Sequence, residues 1–335
     1  MPRTLRPPLA IFLTLVLVLS PGALLAEEKD KKSNKEDVEK IGERNVGGGL
    51  NFYSLESEIA LGKQLAAEIE QSARLIEDPV VLGYVDRVAQ NLVRNSDARV
   101  PFTVKVIDDD TLNAFALPGG FFFVNSGLIV AAEEEAELAG VMAHEIAHVT
   151  ARHATKQATK GQLVQYATLP LIIFGPAGLA GLGIYQGLNF GLPLIFLKFS
   201  RGAEREADFL GLQYMYKAGY DPSSFITFFE KVQEKEKKSP GSVPKIFSSH
   251  PPTDDRIGKA QTEIAELLPA RDEYVVSSSE FDEVRARLQQ LMAGRKVEDQ
   301  EPGRPTLRKA EERESDAKAE EEKKEDEPPE LKRRP

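Results

Sequence analysis

The chain has no cysteine. That excludes disulfides, thiolate metal ligands, a cysteine nucleophile and a lipid anchor on cysteine. Any metal site must therefore be built from histidine and carboxylate. Histidine is itself scarce, with four in 335 residues. Positive charge is in deficit. The formal net charge is -10 and the pI is near 5.2, which argues against a nucleic-acid surface. Charge of either sign is missing from Gly161 to Leu197. That run is long enough to span a bilayer, but Pro170, Pro176, Pro193 and many glycines divide it into short pieces. It reads, in order of preference, as a buried helical pair over whatever site the domain carries, a membrane-apposed lid with exposed apolar surface, or a transmembrane hairpin.

Two of the four histidines fall in His144-Glu145-Ile146-Ala147-His148, inside an Ala-rich, helix-favouring run. On a helix His144 and His148 are one turn apart on one face, so both imidazoles reach a single metal ion. Glu145 sits beside the first ligand, where it reaches a water on the metal rather than the metal itself. His153 lies about 140° further round a continuous helix than His148. It reads as a surface or packing histidine, out of reach of the same metal.

Upstream, Asn113-Ala114-Phe115-Ala116-Leu117, Pro118-Gly119-Gly120 and Phe121-Phe122-Phe123-Val124-Asn125 spell strand, tight turn, strand. A core hairpin accounts for the phenylalanines. An edge strand beside the metal would also let Asn113, Ala114, Phe115 and Ala116 capture an extended peptide through backbone hydrogen bonds. The two readings are compatible. Asp108-Asp109-Asp110 reads as a solvated turn. Downstream, Glu204 and Asp208 share a helix face one turn apart. That spacing suits a third metal ligand with a carboxylate orienting a ligand histidine, and equally a surface helix with scattered ion pairs. His250 is held in a loop between Ser249 and Pro251-Pro252.

At the N-terminus Arg3 and Arg6 precede an uncharged run from Leu9 to Leu19, then Pro21-Gly22 and Ala23 to Ala26. This is the order of a signal peptide over 1–26, with cleavage after Ala26, or of an uncleaved anchor. Either way the rest of the chain is exported, and the periplasm is the most economical compartment. Residues 27–49 are charged and then Gly-rich, expected as a flexible lead-in. Residues 50–294 carry the packed domain, with 161–197 as its uncharged insert. Residues 295–335 are nearly all charged or proline, expected as a disordered tail.

His144–His148, then Ser200–Asp208 (S-R-x-x-E-x-x-A-D), then Ser249–Arg256 (S-H-P-P-T-D-D-R), together with Asn113–Gly120 (N-A-F-A-L-P-G-G), resemble the M48 metallopeptidases. The resemblance covers about residues 50–265. It implies an α+β, zincin-like fold, mainly helical, with a small sheet whose edge strand borders the zinc site. It implies one zinc ion on His144, His148 and Glu204, with Glu145 as general base and Asp208 behind a ligand. It is similar to the periplasmic branch that handles outer-membrane and misfolded proteins. The tetratricopeptide repeats common in that branch are replaced by a charged tail, and the multi-span prenyl-protein branch does not fit.

The expected activity is zinc-dependent endopeptidase cleavage of misfolded or unassembled envelope polypeptides, with contact to the outer membrane or its assembly machinery and none to nucleic acid. Glu145 takes a proton from the attacking water and passes it to the leaving amine. His250 either hydrogen-bonds the developing oxyanion or closes the open zinc position and keeps the site latent. The competing reading is a zinc-held, chaperone-like binding protein with little proteolysis. A membrane sensor built on 161–197 is the third.

Overall fold

The computed structural model describes residues 34–174, 199–238, 250 and 253–300. The stretch expected as a signal peptide, much of the uncharged insert and the residues beyond 300 lie outside them. The chain divides into two compact units after Ala286. The first holds every group discussed below; of the second, the described part is the C-terminal end of a single helix.

Capping residues start the first two helices. Ser54 accepts from Ser57 N–H ahead of α1 (Leu55–Ser72), and Asp78 accepts from Val80 and Val81 N–H ahead of α2 (Pro79–Arg94). Pro79 takes the first helical position, where no N–H is needed. Three strands follow: β1 (Thr103–Ile107), β2 (Ala114–Leu117) and β3 (Phe121–Asn125). The sheet order is β1-β3-β2, with β1 parallel and β2 antiparallel to β3. The expected hairpin is therefore present, and β2 forms one edge of the sheet.

Alternation along β3 buries both faces. Phe123 joins Leu117 and Ile107 against Leu65 and Ala66 of α1. Phe122 and Val124 point the other way and are fully buried. Gly62 of α1 lies against the hairpin turn; a Cβ there would come 1.7 Å from the Pro118 carbonyl oxygen. Gly62→Ala is expected to force α1 off the sheet and cost about 1–3 kcal/mol, as overpacking does. Urea unfolding of the full chain measures it, and an unchanged midpoint would show that α1 does not rest on this turn.

After a short helix α3 (Ser126–Ala131), the core of the unit is α4 (Glu135–Thr150), buried along its whole length. α4 stops at Thr150 because Arg152 takes the left-handed conformation, φ +58°. A non-glycine residue holds that conformation only when its side chain is tied down. Arg152 donates to Glu58 Oε2 and to the Tyr53 carbonyl, both at 2.6 Å. A separate helix, α5 (His153–Phe174), then begins. It runs through Pro170, so the expected breakage of the uncharged run at that proline does not occur. No helix among the described residues is long and apolar enough to cross a membrane.

α6 (Arg201–Ala218) crosses α4 at backbone contact. Gly211 permits this, since a Cβ there would sit 3.1 Å from His144 N. Ser200 caps its start and Gly219, φ +93°, ends it. α7 (Ser223–Lys238), α8 (Asp254–Leu267) and α9 (Ser279–Gln300) complete the described chain. α9 continues to Gln300, past the expected start of a disordered tail at 295. Near Glu273–Ser277 the chain makes a single bridge, between Val275 and Tyr220.

The lead-in is docked from residue 34 onward rather than loose. Val38 and Val46 are buried. Arg44 forms a buried ion pair with Asp97 at 2.6 Å and donates to Gln213 Oε1 at 2.5 Å. The charged composition that reads as disorder supplies this anchor.

Candidate metal centre

Two helices and one loop residue converge on a buried cluster. α4 supplies His144 and His148, α6 supplies Glu204, and His250 lies four residues ahead of α8. One ligand atom from each lies within 4.8 Å of all the others. His144 Nε2 is 3.0 Å from His148 Nε2 and 3.4 Å from His250 Nδ1. Glu204 lies 3.5 Å from His144 Nε2, 3.6 Å from His148 Nε2 and 2.9 Å from His250 Nδ1. All four side chains are buried. Lone pairs crowded this closely away from water are unfavourable unless a cation or protons are shared among them.

Arg256 ties the carboxylates together. Its Nε and one terminal nitrogen donate to Asp208 at 2.7 and 2.6 Å, and the other terminal nitrogen lies 3.2 Å from Glu204 Oε2. Asp208 Oδ1 is in turn 3.0 Å from His144 Nδ1, a hydrogen-bond distance although the angle falls short. Asp208 therefore lies on the far side of the His144 ring from the cluster. Arg256 belongs to the Ser249–Arg256 motif, but a role for it was missed, since no sequence spacing links α8 to two carboxylates on α6.

Glu145 has two different oxygens. Oε2 accepts from the Ala116 N–H of β2 at 3.3 Å. Oε1 is buried without a hydrogen-bond partner and lies 3.7 Å from His250 Nε2. The contact fixes how β2 faces the centre. Asn113 turns its carbonyl to Asn125 N–H of β3, so alternate residues Ala114 and Ala116 point their backbone groups to the free edge. Phe115 instead stacks on Phe123 at 5.3 Å, within the sheet core.

Of the two readings of His153, surface or packing, the structure gives packing, and His153 is not among the four clustered donors. It is buried, and its Nδ1 lies 2.9 Å from His148 Nδ1. The expectation assumed one straight helix; the break at Arg152 turns the chain and brings the ring back. His153 Nε2 reaches Glu206 at 3.1 Å, and Lys35 reaches the same carboxylate at 2.5 Å. Burial pushes Glu206 up, but the His153 and Lys35 hydrogen bonds outweigh it and hold the carboxyl at about 2.

The electrostatics favour a cation. Burial pushes His144 down, yet Asp208 and Glu204 outweigh it and raise the imidazole to about 9. Burial and the neighbouring histidine charge push His148 well below its ordinary value. Burial pushes Glu145 up. When ionised, the three carboxylates of Glu145, Glu204 and Asp208 exceed the Arg256 guanidinium by two charges, which one divalent ion supplies. Nitrogen and carboxylate donors with no sulfur suit zinc. His144 must lose its proton for zinc to enter, so acid competes with metal here.

Comparison with known proteins agrees with this chemistry. A family model described as peptidase family M48 matches residues 80–264. The beta-barrel assembly-enhancing protease of Yersinia pestis is 30% identical over 78% of this chain and 54% of that protein. The protein of the same name from Escherichia coli K12 is 31% identical over 70% of this chain and 48% of that protein. The mitochondrial metalloendopeptidase OMA1 of Schizosaccharomyces pombe is 33% identical over 67% of this chain and 66% of that protein. The chain thus spans about half the length of the first two relatives. The matched region contains both histidines of α4, the α6 carboxylates, His250 and Arg256, and on that footing the chain belongs to peptidase family M48.

Proposed function

We propose that the protein is a zinc-dependent endopeptidase of the bacterial cell envelope, acting on misfolded or unassembled polypeptides. One observation carries the reading. A buried carboxylate oxygen, Glu145 Oε1, faces the four-donor cluster with no partner, while the other is held by the substrate-facing strand. A protein that only stored zinc would gain nothing from that carboxylate, which costs stability. The N-terminal pattern over residues 1–26 supports the envelope compartment, and the name of two relatives, beta-barrel assembly-enhancing protease, supports a role on envelope polypeptides.

His144, His148 and Glu204 would hold the zinc. When bound, zinc supplies a Lewis acid that acidifies water and polarises the scissile carbonyl. Glu145 Oε1 takes the proton of the attacking water and delivers it to the leaving amine. The free edge of β2 receives the substrate as an added strand, through Ala114 and Ala116 backbone groups, with Asn113 and Phe115 fixing the strand from its paired side. A substrate carbonyl that takes the Ala116 N–H removes a hydrogen bond from the Glu145 carboxylate, which makes Glu145 a stronger base as substrate docks. Casein cleavage that a chelator abolishes and added zinc restores tests the reading; metal-independent cleavage, or none in any state, would overturn it.

His250 sits among the donors rather than above them, and four donors close a zinc site. This supports the latch over the oxyanion role. His250→Ala is expected to raise casein cleavage several-fold while weakening zinc retention. A sharp fall in kcat would instead assign the oxyanion role, and unchanged cleavage would remove both. The closed four-donor arrangement is also the observation that favours the second reading, a latent zinc-held binding protein for envelope clients.

A further inference from the structure

We propose that His153, backed by Glu206 and Lys35, positions the zinc ligand His148, and that the docked N-terminal stretch thereby supports the metal centre. The inference rests on the reading of His148 as a zinc ligand. His148 Nε2 faces the donor cluster, 3.0 Å from His144 Nε2. A histidine that ligates through Nε2 carries its proton on Nδ1. That proton points at His153 Nδ1, 2.9 Å away, which must then accept. His153 is left with its own proton on Nε2, aimed at Glu206 Oε2 at 3.1 Å.

The direction of the chain is fixed at its far end. An ionised carboxylate only accepts and an ammonium only donates. Glu206 Oε1 accepts from Lys35 at 2.5 Å, so Glu206 can take the His153 proton contact and cannot give one. With both imidazoles neutral, a single tautomer set satisfies every link, and it is the set that presents the His148 Nε2 lone pair to a metal. Phe199 stacks on the His148 ring at 4.0 Å between centroids and packs against His153 at 5.9 Å, which restrains both rings.

The two ligand histidines are thus supported in matching ways. His144 is backed by Asp208 and Arg256, and His148 by His153, Glu206 and Lys35. The second support crosses the chain. Lys35 belongs to the stretch before α1, and its carbonyl accepts from Arg44 at 2.6 Å. Arg44 is itself anchored on Asp97. Residues that support a metal ligand from behind typically contribute about 10- to 100-fold in metal affinity.

The test is zinc competition against a chromophoric chelator on the full chain, together with ¹⁵N-histidine NMR of the zinc-loaded protein. His153→Leu is expected to weaken zinc binding about 10- to 100-fold. His153→Asn keeps an acceptor near the Nδ1 position and is expected to recover most of that loss. Lys35→Met, at the end of the chain, is expected to weaken zinc by a few-fold. In the wild-type spectrum His148 should be protonated on Nδ1 and His153 on Nε2, which needs no variant to fold. A His153 proton on Nδ1, or a folded His153→Leu with wild-type zinc affinity, would overturn the inference alone. Wild-type protein that takes up no zinc would overturn the metal-centre reading and this inference with it.

Discussion

Glu145→Gln is expected to reduce casein cleavage at least 10²- to 10⁴-fold, the usual contribution of a general base, while zinc uptake stays at the wild-type level. The substitution is close to isosteric. The amide oxygen can keep the Ala116 N–H contact that Glu145 Oε2 makes at 3.3 Å. The amide nitrogen then occupies the place of Oε1, where it cannot take a proton from water. None of the four clustered donor groups belongs to Glu145, so the metal should remain.

Stability should move in the opposite direction from activity. Burial raises the Glu145 carboxyl above its ordinary value of 4.5. A raised folded value means that its stabilising contribution is full below the unfolded value and is lost as pH rises through the folded one. At neutral pH the ionised carboxylate is therefore a cost, and zinc-free Glu145→Gln should be no less stable than wild type. Cleavage assays on zinc-loaded protein and melting curves on chelated protein measure the two arms. Cleavage retained by the variant would remove Glu145 as the base. An inactive wild type with full zinc would leave the latent binding reading in its place.

The chemistry of α4 was legible because helical geometry turns a spacing of four into proximity. The same rule made Glu204 and Asp208 visible on α6, though only as one of two readings until the fold put α6 across α4 at Gly211. The hairpin was legible from alternation and from Pro118-Gly119-Gly120, where Gly119 takes φ +77°. What stayed hidden depends on departures from regular geometry or on distant pairs. Nothing about arginine announces the left-handed turn at Arg152, which Glu58 and Tyr53 impose from α1 and the stretch before it. The angle assigned to His153 was correct for a straight helix and wrong for this one. Arg44 and Lys35 sit in a run whose composition resembles disorder, and only their burial partners show otherwise. Arg256 is one of many arginines until Asp208 and Glu204 meet it in space.

Arg256→Leu is expected to destabilise the chelated protein by about 3–5 kcal/mol, the cost of leaving buried charge without its partner. Arg256 makes two hydrogen bonds to Asp208 and approaches Glu204 at 3.2 Å, and its guanidinium lies 5.0 Å from the Phe229 ring centroid. Leucine replaces the ring contact in part and replaces none of the charge. Zinc should reduce the deficit, because the divalent ion compensates Glu204 directly. It should not erase it, because His144 gives up its proton when zinc binds and Asp208 behind it is then left without the Arg256 charge. Zinc affinity should therefore fall as well, by about 10- to 100-fold. Arg256→Lys separates charge from shape. A lysine carries the charge but not the planar fork that spans Asp208 and Glu204 together. It should recover part of the stability of the chelated protein and little of the zinc affinity. Urea unfolding with and without saturating zinc reads all four quantities. Equal stability of wild type and Arg256→Leu in the chelated state would show that the two α6 carboxylates take up protons there, in which case the deficit should appear only as pH is raised.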